Sequence, residues 1–144
     1  MYSDLLNKTA LVCGSTQGIG LSIAKDLAKN GAKIILIARN KSKLKKIIKT
    51  LPKATQQHFF VDCDFNNPEE LNEKIFTLIK KNKIHTLINN TGGPPSGSIT
   101  KAKEEEFIKG FKMHIICNQI LIKHLVPGMK KLKYGRNNKN AKIK

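Results

Sequence analysis

The stretch KTALVCGSTQGIGLSIAKDLAKNG, residues 8–31, decides the fold. It opens on a short apolar, β-branched run ending in Gly14, the pattern of a buried strand. It continues with Ile19, Ile23, Leu27 and Ala28 at helical spacing, and Asn30-Gly31 supplies a helix stop. Gly14, Gly18 and Gly20 fall between the two. Glycine allows the tight turn and the close backbone approach, and the helix start offers free N–H groups to a pyrophosphate. A glycine-rich string alone is weak evidence; the strand–turn–helix context gives it weight. Gly14, Ser15, Thr16, Gln17, Gly18, Ile19 and Gly20 are therefore candidate dinucleotide-binding residues.

Outward from this unit the pattern repeats. AKIILIA (32–38) predicts a second buried strand, and KSKLKKIIKTL (41–51) a basic amphipathic helix with Leu44, Ile47, Ile48 and Leu51 inward. QHFFVDC (57–63) predicts a third strand. The next helix is capped by Asn66 or Asn67, has Pro68 at its first position and faces Glu69 and Glu70 to its dipole. Leu71, Ile75, Leu78 and Ile79 form its apolar stripe. KIHTLINN (83–90) predicts strand four, and TGGPPSGS (91–98) a loop. A long helix is expected over about 103–132, with Phe107, Phe111, Ile115, Ile122 and Leu125 along one side. Ile108, Ile116 and Ile120 widen that stripe beyond what one sheet face needs.

Strands alternating with helices predict an α/β fold: a Rossmann-type, doubly wound parallel sheet of about four strands, order 3-2-1-4, with flanking helices. Residues 1–134 are read as this domain and 135–144 as a basic tail without regular structure.

Composition narrows the function. The 144 residues are 40% hydrophobic, within the globular range, with a formal net charge of +17. Such a charge raises the possibility of a nucleic-acid partner, but lysine is abundant throughout the chain. Aromatics at 6% and the lack of Trp offer no stacking platform. Cys13, Cys63 and Cys117 fit no metal spacing and no disulfide framework, and read as small buried hydrophobes in a reducing compartment. No secretory leader or membrane-spanning run is visible, so a cytoplasmic protein is expected.

Cofactor choice follows from the end of strand two. Folds that bind NAD place an acid there, about 20 residues beyond the glycines, for the ribose 2′-hydroxyl. Here the position reads Ala38-Arg39-Asn40, and Arg39 could pair with a 2′-phosphate through a charge-assisted fork. NADP is favoured over NAD.

The spacing Gly-x-x-x-Gly-x-Gly, together with VDCDFNN (61–67), LINNTGG (87–93) and LVPGMKKLKYGR (125–136), resembles the short-chain dehydrogenase/reductase family. The likeness covers about residues 5–136 and is nearest to 3-oxoacyl-acyl-carrier-protein reductases and their relatives. It implies that Asp64 contacts the adenine, Phe65 lines its pocket, and Asn89 and Asn90 tie down the sheet and the cofactor ribose. It also implies a part in self-association for helix 103–132, and the reversible reduction of a carbonyl with NADP.

Three departures stand against those matches. Thr91 replaces the family's Ala, and His114 occupies the position of the family's helix asparagine. The family's catalytic serine, tyrosine and lysine have no counterpart. Tyr134 is followed four residues later by Asn138, not Lys, and it precedes the turn into strand five. The reading is a truncated reductase that binds cofactor at most. One alternative is an active oxidoreductase in which His114 or a partner chain supplies the missing groups. Another is a basic nucleic-acid-binding module on an inactive scaffold. No strand five is expected, because NNKNAKIK (137–144) lacks a β-branched run.

Overall fold

The computed structural model describes residues 5–92 and 97–139. Five parallel strands form one sheet in the order β3-β2-β1-β4-β5: β1 Thr9–Cys13, β2 Lys33–Ala38, β3 Phe59–Asp62, β4 Thr86–Asn89 and β5 Arg136–Lys139. The helices are α1 Gly18–Lys29, α2 Lys41–Thr50, α3 Pro68–Lys81, α4 Glu104–Phe111 and α5 Cys117–Lys131.

Alternation along the inner strands builds a core on each face of the sheet. Ala10 and Val12 of β1, with Ile34 and Leu36 of β2, pack against Ala24, Ala28 and Leu44 of α1 and α2. Leu11, Cys13, Ile35 and Ile37 point the other way, onto Leu71 and Ile75 of α3 and Leu121 and Leu125 of α5. Local chemistry sets the helix ends. Asn67, not Asn66, caps α3 by accepting from the Glu70 N–H at 3.2 Å, with Pro68 in the first turn. Asn40 caps α2 by accepting from the Lys43 N–H at 2.9 Å. Gly31, at φ 92, turns the chain out of α1.

Three expectations need correction. The sheet has a fifth strand, and residues 136–139 of the expected tail form it, pairing Thr86 with Arg136 through Asn89 with Lys139. An edge strand needs extended backbone more than apolar side chains, and β4 would otherwise leave its ladder groups unpaired. The Asn89 carboxamide also donates to the Asn137 Oδ1 at 3.2 Å. Residues 140–144 lie outside the described residues, as do 93–96 of the expected loop 91–98.

The helix expected over 103–132 is interrupted by a π turn, Lys112–Ile116, in which the Cys117 N–H reaches back to the Lys112 carbonyl. A turn wound with one extra residue shifts the faces on either side of it. The expected stripe is therefore not one buried face. Leu125 is buried, but Phe107, Phe111 and Ile115 are exposed. In α1, likewise, Gly20, Ala24 and Ala28 face the core, while Ile19 at its start is exposed.

Candidate cofactor site

The glycine turn leaves β1 and enters α1 at the carboxyl edge of the sheet. Gly14 has φ +56, and a Cβ there would lie 2.1 Å from the Asn90 carbonyl oxygen. A Cβ on Gly20 would lie 2.4 Å from the Gly14 carbonyl oxygen and 2.7 Å from Asn90 Nδ2. The turn, the helix start and the end of β4 thus touch backbone to backbone, and only glycine permits it. Asn90 fastens the contact by donating from Nδ2 to the Gly14 carbonyl at 3.2 Å.

Gly18 is different. It also has φ +56, but nothing lies within 4 Å of its virtual Cβ. Its freedom leaves an open approach to the first turn of α1, where there is no acidic residue and the Gln17 side chain makes no capping bond. In the same turn the Ser15 hydroxyl is buried with no partner among the described residues. A buried hydroxyl in a turn rarely stays unsatisfied, so Ser15 Oγ is a hydrogen-bonding atom that the described residues leave unused. Free N–H groups, the Ser15 hydroxyl and the positive end of a helix make a donor set suited to a pyrophosphate.

Arg39 follows β2 at the same edge and is exposed. The neighbouring Asn40 side chain is committed to α2, accepting from Lys43 N and from Ser42 Oγ at 2.9 Å each. Asp64 follows β3, with Oδ1 accepting from the Asn66 backbone N–H and Nδ2, both at 2.9 Å. Phe65, expected to line a pocket, is only 8% exposed and packs into the core, its carbonyl facing Cys117 Sγ at 3.2 Å. A groove of about 410 Å³ opens beside it, lined by Asn66, Glu105, Ile108, Lys109 and Lys112.

The structure thus joins Gly14, Gly20 and Asn90 by direct contact, and sets Ser15, Gly18, Arg39 and Asp64 along one sheet edge. Thr16 is half-buried, Gln17 is exposed at the end of the turn and Ile19 is exposed at the start of α1. Cys13, Cys63 and Cys117 share the core on the α3 and α5 side. Burial pushes the Cys13 thiol up strongly, Cys63 to about 12 and Cys117 to about 11, so all three are held as unreactive thiols.

One contact has no signal in sequence spacing. Thr91 Oγ1, just past β4, lies 2.5 Å from His114 Nδ1 in the π turn. The His114 carbonyl in turn accepts from Asn118 Nδ2 at 2.6 Å. Tyr134 lies elsewhere: its ring meets His85 edge-on at 5.9 Å, under Lys8 Nζ at 4.4 Å, at the amino edge of the sheet.

No helix among the described residues is long and apolar enough to cross a membrane. The chain is 31% identical over 134 residues to the 3-oxoacyl-(acyl-carrier-protein) reductase of Rickettsia prowazekii (strain Madrid E), covering 92% of this chain and 53% of that protein. It is 30% identical over 131 residues to dehydrogenase/reductase SDR family member 4 of Mus musculus, covering 90% and 47%. Among solved structures, L-sorbose reductase from Gluconobacter frateurii, complexed with NADPH and L-sorbose, superposes with a TM-score of 0.86 at 29% identity. That match covers 95% of this chain and 53% of the reductase. The chain spans about half the length of the relatives it matches. The family model for short chain dehydrogenase matches residues 8–137. With the glycine turn and the 3-2-1-4-5 parallel sheet, this establishes that the chain belongs to the short-chain dehydrogenase family.

Proposed function

We propose that these residues form the NADP-binding half of a short-chain reductase, binding NADP(H) without carrying out carbonyl reduction on their own. The observation that carries the reading is the glycine turn, with an unobstructed Gly18 at a helix start free of acidic residues and a buried, unpartnered Ser15 hydroxyl in the same turn. Gly14 and Gly20 let the turn close on Asn90, and the α1 N–H groups with Ser15 would hold the pyrophosphate. Arg39 would pair with the 2′-phosphate, and Asp64 would lie toward the adenine. When bound, the nicotinamide supplies a hydride. L-sorbose reductase, complexed with NADPH, supports the cofactor choice.

The second half of the proposal rests on the residues available for proton transfer. The 144 residues contain no Tyr-x-x-x-Lys, and Tyr134 sits at the amino edge, away from the glycine turn. The exposed Phe107, Ile108, Phe111 and Ile115 on α4 and the π turn support self-association through this helix as part of the same reading.

The test is NADPH oxidation by the purified chain with a 3-oxoacyl thioester. Saturable NADPH binding without turnover supports the reading. Turnover would overturn it, and turnover abolished by His114→Ala would assign the proton step to that histidine instead.

A further inference from the structure

Three side-chain hydrogen bonds, linked through adjacent residues of the backbone, lead from the first glycine of the turn to the long helix. Asn90 Nδ2 donates to the Gly14 carbonyl. The next residue, Thr91, meets His114 Nδ1 at 2.5 Å, and the His114 carbonyl takes the Asn118 carboxamide at 2.6 Å. From Lys112 to Ile116, the stretch that holds His114, the helix leaves its regular winding, with the Cys117 N–H bonded five residues back. π turns mark places where a helix is re-aimed rather than merely extended. Here the re-aimed residue is the one that touches the segment after β4.

We propose that Thr91 and His114 are positioning residues that act as one unit, clasping the end of β4 to the π turn and thereby holding Asn90 against the glycine turn. This rests on the cofactor reading above for its purpose, but not for its existence. The physical case is that Asn90 and Thr91 are adjacent, so fixing the Thr91 side chain fixes the backbone from which Asn90 reaches Gly14. The contact joins segments 23 residues apart in sequence. Both positions also depart from the family pattern, and they depart in contact with each other.

The clasp is measured by amide hydrogen exchange at Gly14 and Leu21, with Leu36 in β2 as reference, in wild type, Thr91→Val, Thr91→Ser, His114→Ala and the Val/Ala double variant. Thr91→Val keeps the shape and loses only the hydroxyl, so the test survives if His114→Ala fails to fold. Each disrupting variant should raise exchange at Gly14 and Leu21 by about three- to tenfold, the size of one net hydrogen bond. The double variant should go no further than the larger single, Thr91→Ser should match wild type, and Leu36 should not change. Unchanged exchange at Gly14 and Leu21, or single effects that multiply in the double variant, would overturn the proposal. NADPH titration of the same variants separates the two readings. A dissociation constant that rises in step with exchange supports both. A wild-type chain that shows the exchange pattern but binds no NADPH rejects the cofactor reading and leaves the clasp standing.

Discussion

The backbone N–H of Thr9, the first residue of β1, donates to Nδ1 of His85, the residue before β4, at 3.0 Å. The His85 N–H returns a bond to the Thr9 carbonyl at 2.9 Å, so an imidazole completes the ladder where the two strands begin. The same device recurs one strand over. The Ile34 N–H donates to His58 Nδ1 at 2.9 Å, and His58 Nε2 lies 2.7 Å from the Pro52 carbonyl, which assigns the ring proton to Nε2.

A backbone N–H can only donate, so His85 must keep Nδ1 unprotonated. Burial, then Lys8 and Lys83, hold its pKa below the ordinary value of 6.5. The unfolded chain therefore binds the proton more readily, and stability from this group is full above 6.5 and lost as pH falls through the folded value. His85→Asn keeps an acceptor at the Nδ1 position without titrating near neutrality. Urea melts at pH 7.5 and 5.5 should show wild type losing more stability on acidification than His85→Asn. Equal losses would remove His85 as the cause.

The glycines of the turn should separate folding from binding. Gly20→Ala drives a methyl into the Gly14 carbonyl and Asn90, and should cost at least about 2 kcal/mol with binding lost as well. Gly18→Ala meets no atom within 4 Å, so its stability cost is the positive-φ strain of about 1–2 kcal/mol. Its methyl nonetheless enters the proposed pyrophosphate approach. NADPH affinity should therefore fall by more than the stability change accounts for, as read by paired thermal melts and titrations.

The apolar face of α4 should drive association. Phe107 and Phe111 are each 56% exposed, one helical turn apart, with Ile108 beside them. Sedimentation velocity should show a concentration-dependent shift to a larger species, abolished in Phe107→Ser/Phe111→Ser with no loss of helical signal. A wild-type chain monomeric at every concentration would contradict this.

Core packing by α5 has a conventional expectation. Leu121 is fully buried between α3 and the sheet, and Leu121→Ala should destabilise by about 2–5 kcal/mol. Cys117 should then react with a thiol reagent at a rate set by opening, because burial suppresses its thiolate in the closed state. A Cys117 that reacts at the same rate in both chains would contradict this.

What could be read from the sequence was what is encoded locally. The strand, turn and helix around Gly14, Gly18 and Gly20 announce themselves because only glycine tolerates the close contacts at Gly14 and Gly20 and the positive φ at Gly18. The fifth strand left no pattern to read: Arg136 to Lys139 join the sheet through backbone, and an exposed edge imposes no apolar alternation. The π turn was hidden because one inserted residue leaves the composition of an amphipathic helix unchanged while rotating its faces. The contact between Thr91 and His114 is tertiary and has no local signature. The histidines at 58 and 85 differ from surface histidines only in what the fold brings to their Nδ1 atoms.

The most direct test is calorimetric titration of the folded chain with NADPH and with NADH at neutral pH, alongside Arg39→Ala. The account predicts one saturable NADPH site per chain, with NADH weaker. In Arg39→Ala NADPH affinity should fall by about ten- to a hundredfold while NADH changes little, the loss of a charge-assisted contact to the 2′-phosphate. No NADPH binding by a chain that melts cooperatively, or binding indifferent to Arg39, would contradict it.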